Sequence, residues 1–380
     1  MTLKTPKVKI PNLRNPGSAF MLFVVVFYLG MVLVRDMVLV TLSNRGVNID
    51  AIPTPLILIS AQVFGLVLPF ALWILFTRDS FKRNLPSQKL DRTNIKYIVQ
   101  LSFLIQPAMM ALSAISTIFA PNIAGEVLTA FMAYPFWLLV LAIAVTPSIC
   151  EELVFRGYIQ TNTPGKKIRD IAIMNGLLFA IIHMHPQQFF YTFALGVLFA
   201  YMMYYTKNIL SVMLAHFIIN GTQLTFATGA LWLANAMERI AESLPYVQTQ
   251  LADFLEERFG ITHGIEIAEA AAVSMDAELT LESIISTIVI LGVILIVTVY
   301  FAVKIFKKFA AYNTPQGNDE VPPTVASEKS GWRTVARNFI MGDPDEDSEN
   351  EIAGGVRIDW CLIAVAVIYV VFVFVLPLLL

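Results

Sequence analysis

Charge is scarce in this chain. Only 14% of its 380 residues are Asp, Glu, Lys or Arg, against about 25% in an ordinary soluble domain, and that deficit excludes a water-soluble globular protein. The 26 basic residues are balanced by 28 acidic ones, so the positive excess that nucleic-acid binders set against phosphate is missing and no nucleic-acid partner is expected. Cysteine is nearly absent. Cys150 and Cys361 cannot build a disulfide framework, and neither has a CxxC partner, which removes thiolate zinc sites and thioredoxin-like chemistry. No HExxH pair occurs either.

Apolar residues are abundant, at 57% of the chain, and their placement is informative. A bilayer core of about 30 Å needs about 20 apolar residues per helical span. Nine stretches qualify: 18–42, 54–76, 96–119, 127–150, 169–185, 187–206, 209–233, 281–303 and 359–380. They are apolar on every face and longer than the alternating segments of about ten residues that build membrane barrels. The expected fold class is therefore all-α: a polytopic membrane protein with an eight-helix core over 18–303 and one C-terminal transmembrane helix at 359–380. No internal repeat of the transporter kind is visible.

Lys and Arg in short loops set the orientation. Residues 1–17 carry Lys4, Lys7, Lys9 and Arg14, and no small-x-small cleavage site follows the first stretch, which is read as a retained anchor. The loop after span two is basic (Arg78, Lys82, Arg83, Lys89, Arg92, Lys96), as is the connection after span four (Arg156, Lys166, Lys167, Arg169), whereas the segment 234–280 is mostly acidic. The N-terminus is predicted to be cytoplasmic and the C-terminus extracytoplasmic. A bacterial plasma membrane is the expected location, although an endoplasmic reticulum membrane obeys the same charge rule. Within 234–280, the pattern Val247 to Leu255 suits a short amphipathic helix on the outer surface. Residues 304–358, with six acids between Asp343 and Glu351, have the composition of a cytoplasmic acidic linker.

Ionisable residues inside the spans are the chemical signal, because a charge at the bilayer centre costs about 2.5–3.5 kcal/mol even on insertion scales. Glu151, Glu152 and Arg156 close span four, His183 and His185 close span five, and His216 lies within span seven. Glu152 and Arg156 are four apart in the favourable acid-first order and can pair. Glu151 points about 100° away, without a local partner and in a poorly hydrated setting suited to a general base. Phe179 and His183 share one helix face, as do His216 and Asn220. Counting rise from the cytoplasmic turns brings these residues to comparable depths, as one polar site below the inner membrane surface. Cys150 reads as a small buried hydrophobe, His185 as a loop residue before Pro186, and His263 as incidental. Arg35 and Asp36 are neighbours whose side chains should diverge towards separate partners or the interface.

Glu-Glu-x-x-x-Arg at 151–156, Phe-x-x-x-His at 179–183 and His-x-x-x-Asn at 216–220, in this order on three helical regions, resemble the CPBP family. That family comprises the type II CAAX prenyl endopeptidases and the Abi proteins linked to bacteriocin self-immunity. The resemblance covers roughly 95–235. It implies an intramembrane endopeptidase that hydrolyses a membrane-associated peptide or protein. Glu151 and His183 would activate a water, His216 and Asn220 would steady the oxyanion, and Glu152 with Arg156 would organise the site. Zinc stays open: the family is commonly labelled a metalloprotease, and His183, His216 and Glu151 could supply three ligands and leave one position for water. The alternative is a non-enzymatic self-immunity factor or transporter on the same scaffold. Matched broken halves are not seen, and the retained Glu151 argues against a dead protease. The natural substrate, and whether it is lipidated, is not legible from the sequence.

Overall fold

The structure, a computed structural model, describes residues 16–48, 52–77, 79, 81–117, 131, 133–163, 167–259, 281–314 and 360–375. Among the described residues there are no strands beyond one isolated bridge, Ser87 to Asn208. The main helices are α1 (Pro16–Asn44), α2 (Thr54–Thr77), α3 (Arg92–Ser116), α4 (Phe136–Asn162), α5 (Ile168–Ile182), α6 (Pro186–Thr206), α7 (Ile209–Phe259), α8 (Leu281–Asn313) and α9 (Trp360–Val370). The protein is thus an all-α polytopic membrane protein. Each predicted apolar stretch contains a helix, and seven of the helices are long and apolar enough to cross a membrane. The other two are α5 and α9. With 15 residues, α5 reaches about 22 Å, short of a full span.

Two boundaries differ from the sequence expectation. Span four begins after Pro135 and runs on to Asn162, so Glu151 is the sixteenth of its 27 residues and not its end. The helix continues because residues 153–159 are apolar except Arg156, whose charge Glu152 offsets. The expected separate surface helix near Val247 is instead a continuation of α7, which runs unbroken to Phe259. Residues 1–15, 260–280 and 315–359 lie outside the described residues, and with them most of the predicted basic N-terminus and acidic linker.

Prolines shape the spans. Pro69 and Pro147 each follow a widened π-helical stretch, Val63–Val67 in α2 and Val140–Val145 in α4. A helical proline lacks the N–H for the carbonyl four residues back and its ring crowds that carbonyl. A local π winding relieves the crowding. A second π stretch, Leu153–Ile159, lies beyond the Glu pair. Glu151 and Glu152 therefore occupy the short α-helical stretch between two re-registered turns.

The core has two main clusters. One joins α1, α2, α4, α5 and α9 through Phe20, Phe70, Phe155, Tyr158, Phe179 and Tyr369. The other joins α3, α6, α7 and α8 through Ile98, Phe199, Val212, Ile219 and Phe309. Helices α5 and α6 form an antiparallel hairpin whose tight turn places Met184 at φ 49°. At one end of the bundle the connections gather: Asn208 Nδ2 donates to the Gln88 carbonyl, Ile209 N to the Pro86 carbonyl at 2.8 Å, and Asn162 Nδ2 to Asn84 Oδ1 at 2.7 Å. Tyr312 of α8 reaches the same end, its hydroxyl donating to Asp91 Oδ2 at 2.6 Å.

Gly176 and Gly196 let α5 and α6 touch backbone to backbone. A Cβ at Gly196 would stand 2.5 Å from Gly176 Cα, a rigid neighbour that cannot give way. Gly196→Ala is therefore expected to lower thermal stability in detergent, by about 1–3 kcal/mol as overpacking does. Gly229→Ala, which meets nothing within 4 Å, serves as the control and should be neutral or slightly stabilising. Equal melting temperatures for the two variants would refute the close-contact account.

Candidate active site

Arg156 is fully buried in the middle of the bundle. Its Nη1 donates to Glu152 Oε1 at 3.0 Å and its Nη2 to the Gly196 carbonyl at 3.2 Å. Gly196 is the eleventh of the 21 residues of α6, so the pair lies about 15 Å from either end of that helix. This is mid-helix. The guanidinium rests against the faces of Phe179 and Phe199, 4.5 and 5.1 Å from their centroids, a cation–π arrangement that is strongest where water is excluded.

Glu152 is completely buried. The same Oε1 that receives Arg156 also accepts from His216 Nδ1 at 2.8 Å. Because a carboxylate only accepts, that nitrogen must carry the proton. The other ring nitrogen, Nε2, faces Glu151 Oε2 at 4.0 Å. Glu151 is itself buried at 6% exposure. Its Oε1 accepts from Gln62 Nε2 of α2 at 2.9 Å, while Oε2 has no hydrogen-bond partner among the described residues. Two adjacent acids thus have different environments.

The remaining predicted residues surround this group. His183 caps α5, with Nδ1 donating to the Phe179 carbonyl at 2.7 Å, so its free nitrogen is Nε2. The Phe179 ring borders both imidazoles, edge-on at 5.0 Å from His183 and 6.0 Å from His216. Asn220 lies one turn beyond His216 and donates from Nδ2 to the Ile143 carbonyl at 3.0 Å. That carbonyl is the one Pro147 deprives of its helical partner. Asn175 of α5 reaches the second π stretch, donating to the Phe155 carbonyl at 2.8 Å, which also accepts the Gln160 backbone N–H.

The structure therefore brings Glu151, Glu152, Arg156 and His216 into one group, with His183 against its aromatic wall and Asn220 tied to the backbone of α4. Gln62 joins them from a span outside the motif region. Its only sequence signal is a polar residue in an apolar run, and such residues are routine in helix packing. Cys150 is buried in the apolar cluster, and His185 precedes the first turn of α6. Arg35 and Asp36 do not diverge: Arg35 Nε folds back onto Asp36 Oδ1 at 2.8 Å on the exposed part of α1. Among the described residues no three His, Cys, Asp or Glu side chains are grouped as a metal site requires. One nitrogen of each imidazole is already committed, to Glu152 and to the Phe179 carbonyl.

Residues 133–222, from α4 into α7, match the family model described as type II CAAX prenyl endopeptidase Rce1-like. The matched segment is about a quarter of the chain and contains every motif residue named above except Gln62. The match supports membership of the CPBP family, the family the three motifs resemble. Comparison with curated proteins and with solved structures gave no match.

Removing one partner of a buried pair strands the other charge. Arg156→Met is expected to destabilise the protein by about 3–5 kcal/mol, read as a lower melting temperature and yield in detergent. Arg156→Lys should not restore it, because an ammonium cannot span Glu152 and the Gly196 carbonyl while stacking on two rings. The double variant Arg156→Met with Glu152→Leu should be more stable than Arg156→Met alone. The opposite order would show that the pair is not what the melting temperature reports.

Proposed function

We propose that the protein is an intramembrane endopeptidase that cleaves a peptide bond in a membrane-associated peptide or protein by means of a water activated by side chains. The observation that carries this reading is the asymmetry of the two acids. Glu152 Oε1 takes both Arg156 and His216, whereas Glu151 Oε1 takes one neutral amide. Each acid keeps a buried Oε2 without a hydrogen-bond partner among the described residues, and that of Glu151 is the one turned towards His216 Nε2.

In the proposed reaction Glu151 Oε2 accepts a proton from the attacking water, with His183 Nε2 as the second acceptor. The water oxygen bonds to the carbonyl carbon. Negative charge then develops on the carbonyl oxygen and is met by donors, His216 Nε2–H when the ring carries both protons, and the second amide proton of Asn220. Collapse breaks the C–N bond, and the proton held by Glu151 goes to the leaving nitrogen. Glu152 and Arg156 do not exchange protons; they hold His216. The family description points to peptides ending in a prenylated CaaX sequence as the first class to test.

The end of the bundle where the connections gather also carries Lys82, Lys89, Arg92, Lys96 and Lys207. By the excess of basic residues on cytoplasmic loops, we assign that end to the cytoplasm.

The test is cleavage of an internally quenched, farnesylated CaaX peptide, and of its unprenylated counterpart, by the purified chain in proteoliposomes. Wild-type protein should release the C-terminal tripeptide, and Glu151→Gln should lower the rate by about 10²–10⁴-fold, the usual worth of a general base, with an unchanged melting temperature. Equal activity in the two proteins, or no cleavage of either peptide, would favour the non-enzymatic binder instead. Because His183, His216 and Glu151 are not grouped as metal ligands, activity is expected to survive dialysis against a chelator. A loss that zinc restores would recast those three residues as its ligands.

A further inference from the structure

Gln62 contributes the one hydrogen bond to Glu151 among the described residues, and it comes from α2, far outside the segment that matches the family model. Building on the endopeptidase reading, we propose that Gln62 is a positioning residue that holds Glu151 apart from His216, keeping the base open to water.

Three observations support this. First, the amide proton of Gln62 fixes one carboxylate oxygen at 2.9 Å, so the other is directed towards His216 Nε2 at 4.0 Å. That separation is too long for a hydrogen bond. Without the amide, the nearest donor to Glu151 is the imidazole, and the acid would close onto it as an ion pair that no longer accepts a proton from water. Second, the amide orientation is chemically defined: an ionised carboxylate accepts only, so nitrogen and not oxygen must face it. Gln62 Oε1 is then buried with no partner among the described residues. The same one-ended pattern holds for Gln106, Gln160 and Asn175, whose nitrogens meet backbone carbonyls, whereas that of Gln62 meets a carboxylate. Third, Gln62 is the last residue before the π stretch Val63–Val67 that precedes Pro69. The re-registered turn starts directly after the residue that reaches across to α4.

The experiment compares wild type, Gln62→Met and Gln62→Leu, using the quenched farnesylated CaaX peptide in proteoliposomes. Both substitutions keep a side chain of similar bulk and remove the donor. The expected result is a kcat lowered about 10- to 100-fold, the scale of one hydrogen bond to a charged group, with KM within about twofold and the melting temperature unchanged. A role in shape alone would leave kcat intact in both variants, and that result overturns the inference. An independent readout needs no turnover. The carboxyl infrared band of Glu151, identified by its loss in Glu151→Gln, should shift in Gln62→Met, and an unshifted band overturns the hydrogen-bonded arrangement. If wild type cleaves nothing, the endopeptidase reading fails together with the catalytic role, while the band still decides whether Gln62 holds Glu151. If Glu151→Gln is inactive but both Gln62 variants keep full kcat, only this inference fails.

Discussion

A guanidinium with no exposure to solvent, halfway along the helices of a membrane protein, is the constraint around which the rest is arranged. Its charge is offset by Glu152 one turn earlier on α4, its second amino group by a carbonyl of α6, and its flat faces by Phe179 of α5 and Phe199 of α6. Glu152 extends the same network to α7 through His216. Four helices thus meet at one ion pair. The glycines that let α5 and α6 touch serve the same purpose, because Arg156 reaches the Gly196 carbonyl only where no side chain covers it.

The backbone carries a parallel constraint. In hydrocarbon each carbonyl must find a donor, yet α4 contains a proline one turn before its acids. The widened winding ahead of Pro147 relieves the steric problem and leaves the Ile143 carbonyl to be satisfied by Asn220. An asparagine that looks from its spacing like a partner of His216 on one helix face is also the residue that closes a gap in the neighbouring helix. The π windings on both sides of the Glu pair, each secured by an asparagine from another helix, fix the rotation at which the two acids emerge. The expected oxyanion role and the observed backbone role use different protons of the same amide.

Much of this was legible in the sequence wherever a short-range rule applies. The i, i+4 rule foretold the pairing of Glu152 with Arg156, and the cost of burying charge singled out Glu151 and His216, which the fold brings within 4.0 Å of each other. Longer-range features were not legible. Gln62 and Glu151 are 89 residues apart, and an uncharged amide in an apolar run gives no sign of what it faces. The end of span four was misplaced because hydropathy counts Glu and Arg as separate penalties, whereas the folded helix counts them as one neutral pair. Arg35 and Asp36 show the converse. Their backbone directions diverge, but a long flexible arginine at a half-exposed position folds back onto its neighbour.

The two adjacent glutamates are held in different ways. Glu152 Oε1 takes both Arg156 and His216, so a change there loosens four helices at once, whereas Glu151 Oε1 is tethered by one neutral amide from α2. Each acid keeps a buried Oε2 without a hydrogen-bond partner among the described residues, and that of Glu151 is the one turned to His216 Nε2 at 4.0 Å. The difference between the neighbours lies in the tether and in what the second oxygen faces, and the proposed division of labour rests on that difference.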